Sequence, residues 1–180
     1  MKETGIVRRI DELGRIVIPK EIRRVERMKE GSPVEIFLNN NGEVVLKKYS
    51  PVFDLKEYAL DICKSIGETI EYSVLISDLD AIIVGTNISR NIYMNKVVSK
   101  EVENIMESRK CYMGNKSDNS SMIPLFEGDE EEYSAQIVSP ILSQGDLCGS
   151  IIMFKKDGSF SLSDINLVKI FSNFLARQMN

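Results

Sequence analysis

The chain has 180 residues, 43% of them hydrophobic and 28% charged, with a formal net charge of -4 and neither histidine nor tryptophan. Without histidine there is no imidazole general base, no Ser-His-Asp triad and no HExxH metal site, and no apolar run approaches the roughly 18 residues of a membrane span. Three cysteines, Cys63, Cys111 and Cys148, are odd in number and fall in no CxxC spacing, which fits reduced thiols better than a disulfide framework.

The opening "MKETGIVRRI" lacks the apolar segment of a secretory signal, so a cytoplasmic location is expected. Cysteine, lysine, tyrosine and the carboxylates form no compact grouping, and no catalytic residue, metal ligand or cofactor is assigned. Charge is divided by segment. Residues 1–50 hold 11 Lys+Arg against 8 Asp+Glu, a balance of +3, and residues 51–180 hold 12 against 19, a balance of -7. Six of the nine arginines, Arg8, Arg9, Arg15, Arg23, Arg24 and Arg27, lie in the first 27 residues. A planar, permanently charged fork that suits phosphate oxygens and guanine edges is thus concentrated at one end, as in a nucleic-acid-binding module joined to an acidic domain.

In chain order, "GIVRRI" (5–10) and "RIVI" (15–18) are β-branched runs predicted as strands, with a turn at "DELG" where Gly14 supplies the left-handed conformation. Pro19 suits the first position of a helix over "KEIRRVERMK", with Ile22, Val25 and Met28 on one face. "GSP" stops it. "VEIFL" and "VVLKK" then read as a hairpin around the Asn41-Gly42 pair. A unit of about 50 residues is marginal as a lone core, so two chains are expected to interleave their strands. Pro51 and a shift in polarity place the boundary in "KKYSPVFD", giving domains 1–52 and 53–180.

After the boundary the period becomes helical, with Leu55, Ala59, Ile62, Cys63 and Ile66 on one face and an end at Gly67. Strands "YSVLIS" and "AIIVGT" follow around "DLD". A second helix carries Val98, Val102, Ile105 and Met106, and a polar loop runs from Cys111 to Met122. The acidic "EGDEEEY" reads as a solvated loop. "SAQIVSPILS" and "LCGSIIMF" are strands joined by "QGD", and a last helix starts at Ser161 or Ser163, with Leu167, Ile170, Phe171, Phe174 and Leu175 as its apolar face. The order is that of an α+β protein, an antiparallel sheet with helices packed on it.

"TGIVRRIDELGRIVIPKEIRR", followed by "EGSPVEIF" and "GEVVLKKY", resembles the N-terminal domain of the AbrB family of transition-state regulators. The remaining residues, in layout and final helix, are similar to a GAF domain. The resemblance implies a swapped-hairpin, β-barrel-like dimer that binds double-stranded DNA, followed by a GAF-like antiparallel sheet with helices. It implies a regulator of the sporulation and transition-state type, an activator or a repressor, and no enzyme. Carried over residue by residue, the DNA-contacting arginines are Arg8, Arg15, Arg23 and Arg24, with Arg9 and Arg27 as additional contacts. Where relatives have a hydroxyl residue and then Leu after the Arg-Arg pair, this chain has Val25 and Glu26. That sets a carboxylate near the DNA face. The GAF-like half implies a tetramer and a pocket for an unidentified small molecule beside the Cys111–Met122 and "EGDEEEY" loops. An antitoxin built on the same N-terminal fold is the alternative, and a cysteine-dependent methionine sulfoxide reductase is a third reading.

Overall fold

In a computed structural model, which describes residues 5–70 and 72–179, the first helix, α1 (Lys20–Val25), begins directly after Pro19, whose ring fixes φ at -57° and whose carbonyl accepts the Arg23 N–H at 2.9 Å. The helix is shorter than the sequence predicts. Arg27 turns left-handed (φ 51°), its N–H bonds back to Arg24 O at 3.4 Å and the Met28 N–H to Arg23 O at 2.7 Å, which closes the helix as a Schellman motif. β1 (Val34–Leu38) and β2 (Val44–Lys48) pair antiparallel from Val34↔Lys48 to Leu38↔Val44. The hairpin is in the expected place, but its turn is wider than a two-residue Asn-Gly turn, and of that pair only Gly42 is left-handed. Asn39 Oδ1 accepts the N–H groups of Asn41 and Glu43, and Gly42 adopts φ 76°.

The two segments expected as N-terminal strands form no ladder among the described residues. A strand's N–H and C=O groups need a neighbouring strand along their length, and no such strand pairs with these segments among the described residues. Val7 and Val17 are 86% and 72% exposed, Val25 on the helix is 77% exposed, and Pro19 alone is buried among residues 5–49. The chain divides here into two compact units, Met1–Tyr49 and Ser50–Asn180.

The second unit opens with α2 (Pro51–Asp54), a short helix within the stretch where the sequence places the domain boundary. Ser50 caps it by accepting the Phe53 N–H at 3.2 Å, Pro51 takes the first position, and Val52 enters the core. Ser50 also donates to Asp78 Oδ2 at 3.0 Å, fastening the start of this unit to the next hairpin turn. α3 (Lys56–Ile70) buries Ala59, Ile62, Cys63 and Ile66 as expected, but it runs through Gly67 instead of ending there. Gly67 is a packing residue. A Cβ at that position would collide with Thr86 Cγ2.

β3 (Ser73–Ser77) and β4 (Ile82–Thr86) form the predicted hairpin, with Asp78 Oδ1 accepting the N–H groups of Asp80 and Ala81 at 2.8 Å each. The one-turn helix α4 (Arg90–Tyr93) was not foreseen. α5 (Lys100–Ser108) follows, capped by Ser99 and burying Val102 and Met106. The stretch read as a polar loop contains a strand, β5 (Tyr112–Asn115), and a 3-10 turn. β6 (Ala135–Ser143) and β7 (Asp146–Lys155) are joined through Gln144 and Gly145, both left-handed (φ 50° and 91°), the geometry of a type I′ hairpin. α6 (Leu162–Arg177) closes the chain behind a capping box of Ser161 and Asp164.

The five strands lie in the order β4-β3-β7-β6-β5, each antiparallel to its neighbour. Both faces are covered. Val74, Ile76, Ile137, Ile151 and Met153 pack with the buried sides of α3 and α6, whereas Leu75, Val138, Ile152 and Phe154 pack with α5, Tyr93, Phe126 and Tyr133. Alternate residues of one strand therefore serve two cores. Pro140 sits in β6 beyond the last residue, Val138, that pairs with β5. Gly149 on β7 faces the backbone of Ser77 and Asp78 so closely that a Cβ would strike the Ser77 carbonyl. Gly149→Ala should lower stability by about 1–3 kcal/mol through overpacking against rigid backbone, seen as a lower urea midpoint with an unchanged far-UV spectrum.

Candidate nucleic-acid interface

The arginines expected to meet DNA fall on three local structures. Arg8 and Arg9 lie on the extended segment before the first turn, both exposed, and Arg8 Nη1 reaches only its neighbour's carbonyl, Val7 O, at 3.4 Å. Arg15 follows a tight turn made by Asp11. The Asp11 carboxylate accepts the N–H groups of Leu13 at 3.0 Å and Arg15 at 2.7 Å, the Asp11 N–H donates to Arg15 O at 3.0 Å, and Gly14, at φ 76°, donates to Asp11 O at 3.0 Å. Sequence reasoning credited this turn to Gly14. The Asp at the start of "DELG" is the stronger signal, because its side chain makes two of the four bonds.

Arg23 and Arg24 stand in the last turn of α1, where their charge suits the negative end of the helix dipole. Lys20, three and four residues earlier, shares their face by helical spacing; it was not singled out from the sequence. Among the described residues, the side chains of Arg9, Arg15, Arg23 and Arg24 make no hydrogen bond or ion pair. Arg27 differs. It is half-buried, closes the helix, and its carbonyl accepts Lys48 Nζ at 3.1 Å. Val25 and Glu26, the residues that depart from the family pattern, are both exposed.

In the C-terminal unit the predicted pocket region is a packed aromatic cluster. Tyr93 stacks on Phe154 (centroids 5.2 Å apart) and meets Phe126 edge-on, and Tyr133 meets Phe154 edge-on. Tyr133 donates its proton to Asp129, whose carboxylate also accepts the N–H groups of Leu125 and Glu131. One residue of the acidic loop is therefore turned inward as its organiser, and Glu131 pairs with Lys156. The Tyr93 hydroxyl is buried beside that of Tyr133, whose own hydrogen bond goes to Asp129, and among the described residues Tyr93 makes no well-formed hydrogen bond of its own. Two amides hold the surrounding loops: Gln136 bonds both the N–H and the carbonyl of Ile123, and Asn115 those of Phe160.

The thiols are poorly suited to redox chemistry. Burial pushes Cys63 from 9.0 up to about 12, and burial likewise raises Cys111 and Cys148. A reactive cysteine needs the opposite shift. Cys111 flanks β5 and Cys148 lies on β7 with β6 between them. Two strand spacings, about 9.5 Å, exceed the reach of a disulfide.

A basic hairpin unit joined to a GAF-like sheet defines a DNA-binding transcription regulator. Residues 54–180 match the family described as "Stage V sporulation protein T C-terminal, transcription factor", and the chain belongs to that family. Residues 7–54 match the family described as "Antidote-toxin recognition MazE, bacterial antitoxin". The chain is 42% identical over 179 residues to Stage V sporulation protein T of Bacillus subtilis, covering 99% of each chain. It is 51% identical over 51 residues to the Transition state regulatory protein AbrB of the same organism, covering 28% of this chain and 52% of that protein. Among solved structures it is similar to the GAF domain of an Acinetobacter phosphoenolpyruvate-protein phosphotransferase, with a TM-score of 0.57 and 12% identity over 74% of this chain and 84% of that one, which shows the GAF fold. No helix among the described residues is long and apolar enough to cross a membrane.

Because the fold favours the protonated Cys63 thiol, its contribution to stability is complete below pH 9 and is lost as pH rises toward 12. The stability difference between the native chain and Cys63→Ala, measured from urea midpoints, should narrow over that window. At pH 8 a thiol reagent should modify Cys63 far more slowly in folded than in unfolded protein.

Proposed function

We propose that the protein is a homo-oligomeric regulator in which residues 1–52 pair with a second copy by exchanging hairpins and hold double-stranded DNA through Arg8, Arg15, Arg23 and Arg24, with Arg9 and Arg27 adding contacts. The observation that carries this is the joint state of the N-terminal unit. Its β-branched segments form no strand ladder among the described residues and are largely exposed, the side chains of Arg9, Arg15, Arg23 and Arg24 make no hydrogen bond or ion pair among the described residues, and it buries Pro19 alone among residues 5–49. A second chain would supply the missing strands, and phosphates the missing anions. Phosphate contacts give salt-dependent affinity, and with few base readers much of the selectivity comes from DNA shape.

Residues 53–180 act as the assembly and sensing domain in this reading. Ile170 and Phe174, one helical turn apart on α6, are 63% and 50% exposed, and Leu162 and Tyr58 add exposed apolar surface on α6 and α3. Helix packing between copies would cover these residues and turn two N-terminal dimers into a tetramer. The unsatisfied Tyr93 hydroxyl supports a small-molecule response on the opposite side of the sheet. Such a ligand would alter which spacing of DNA sites two dimers engage together, and bivalent engagement raises affinity without new contacts. The match of residues 7–54 to an antitoxin family favours one other reading, a tail that folds on a toxin. Here that tail is a unit with its own two cores.

Fluorescence anisotropy of labelled promoter-length duplex, titrated with the full chain and with residues 1–52 across a salt series, tests the scheme. Arg15→Ala and Arg24→Ala should each weaken binding roughly tenfold and reduce the salt slope by about one; unchanged slopes in both would remove these arginines from DNA. The full chain should bind more tightly than the fragment at equal dimer concentration. Ile170→Glu combined with Phe174→Glu should halve the mass measured by light scattering while leaving the circular dichroism spectrum intact, and an unchanged mass would place the second contact elsewhere.

A further inference from the structure

Asp11 stands in the middle of the basic segment with an acidic side chain, at a place where charge alone would weaken DNA binding. Its geometry gives another reason for its presence. One carboxylate oxygen, Oδ1, accepts two N–H groups, those of Leu13 and Arg15, at 3.0 and 2.7 Å, while the backbone of Asp11 bonds to Arg15 O and Gly14 N at 3.0 Å each. All five residues of this turn, Asp11 to Arg15, are exposed. Hydrophobic packing therefore does not hold it, and the local bonds do. Of these, the bond to the Arg15 N–H is the shortest, and it fixes the backbone from which the Arg15 side chain leaves. Among the described residues that side chain has no hydrogen-bond or ion-pair partner to aim it.

We propose that Asp11 is a positioning residue for DNA binding, which acts through Arg15 by presenting it from a preformed turn. The inference rests on the reading of Arg15 as a DNA contact. A flexible turn would have to lose conformational freedom on each binding event, whereas a preformed one has already lost it, so removing the acceptor weakens binding without removing any DNA contact. The acceptor oxygen matters here and the charge does not. Asparagine keeps an Oδ1 in the same place and eliminates the repulsion from phosphate, so it should serve as well as aspartate.

The test is anisotropy with full-length protein and a fluorescein-labelled promoter-length duplex, using Asp11→Ala, Asp11→Asn, Arg15→Ala and the double variant Asp11→Ala/Arg15→Ala. Thermal unfolding and light scattering are run on each to show that fold and assembly persist. Asp11→Ala should weaken binding about 5- to 10-fold, Asp11→Asn should bind within about twofold of the native chain or more tightly, and the double variant should be no weaker than Arg15→Ala alone, since residues acting through one another are not additive. The inference is overturned by full affinity in Asp11→Ala, by equal losses in the alanine and asparagine variants, or by losses that simply add in the double variant. Full affinity in Arg15→Ala would overturn the Arg15 contact itself, and the inference with it; a loss in Arg15→Ala beside an intact Asp11→Ala would remove the inference alone.

Discussion

A two-stranded hairpin has two faces, and a chain segment of 49 residues has little with which to cover either of them. Ile36 and Leu38 of β1 and Val44 and Leu46 of β2 all remain exposed, beside Val7, Ile10, Val17 and Val25 from the segments before them. That much apolar surface on one small unit is typical of half an interface. The basic character of the unit follows from the same constraint. Its turns and short helix need no core of their own if a second chain supplies one, so they are free to carry arginine at exposed positions such as Arg8, Arg9, Arg15, Arg23 and Arg24.

The C-terminal unit solves the covering problem within one chain. Its sheet is enclosed by α3 and α6 on one side and by α5 with its loops on the other. The loops are held by side chains that imitate backbone. Gln136 and Asn115 each satisfy both polar groups of a residue on a neighbouring loop, Ile123 and Phe160, and Asn87 holds the carbonyls of Gly67 and Tyr72. A buried amide used in this way fixes a loop as firmly as a short strand, because both its donor and its acceptor are engaged. The interior is thus fixed, and variation is left to the outer stripes of the helices.

What the sequence made legible depended on whether the cause of an element was local. The hairpin closed at Gln144-Gly145, the hairpin around Asn41-Gly42, a serine cap on the last helix and the buried face of α3 all followed from residue types within a few positions of one another. Gly67 was misread as a helix stop because the reason for it is Thr86, nineteen residues away in sequence on the strand β4 against which α3 packs. β5 was missed because "YMGN" is short and has the composition of a loop, and becomes a strand only through its pairing with β6. The final helix showed its apolar residues but not their division. Leu175 faces inward with Val168, while Ile170 and Phe174 face outward. At the basic end, the arginines were legible and the turn that presents Arg15 was half legible, since Gly14 was read for its backbone and Asp11 passed over.

The proline in β6 has a consequence for how copies of the chain behave when brought together. Oligomers raise the local concentration of every surface they carry, including sheet edges, and an open edge accepts another strand with little regard for its sequence. Beyond Val138 the outer side of β6 has outrun its neighbour β5, and Pro140 stands there without an N–H to offer. β5 itself is only four residues long. This edge of the sheet therefore makes a poor template for further strands, and crowding there leaves association to side chains, which choose their partners, instead of to backbone, which does not.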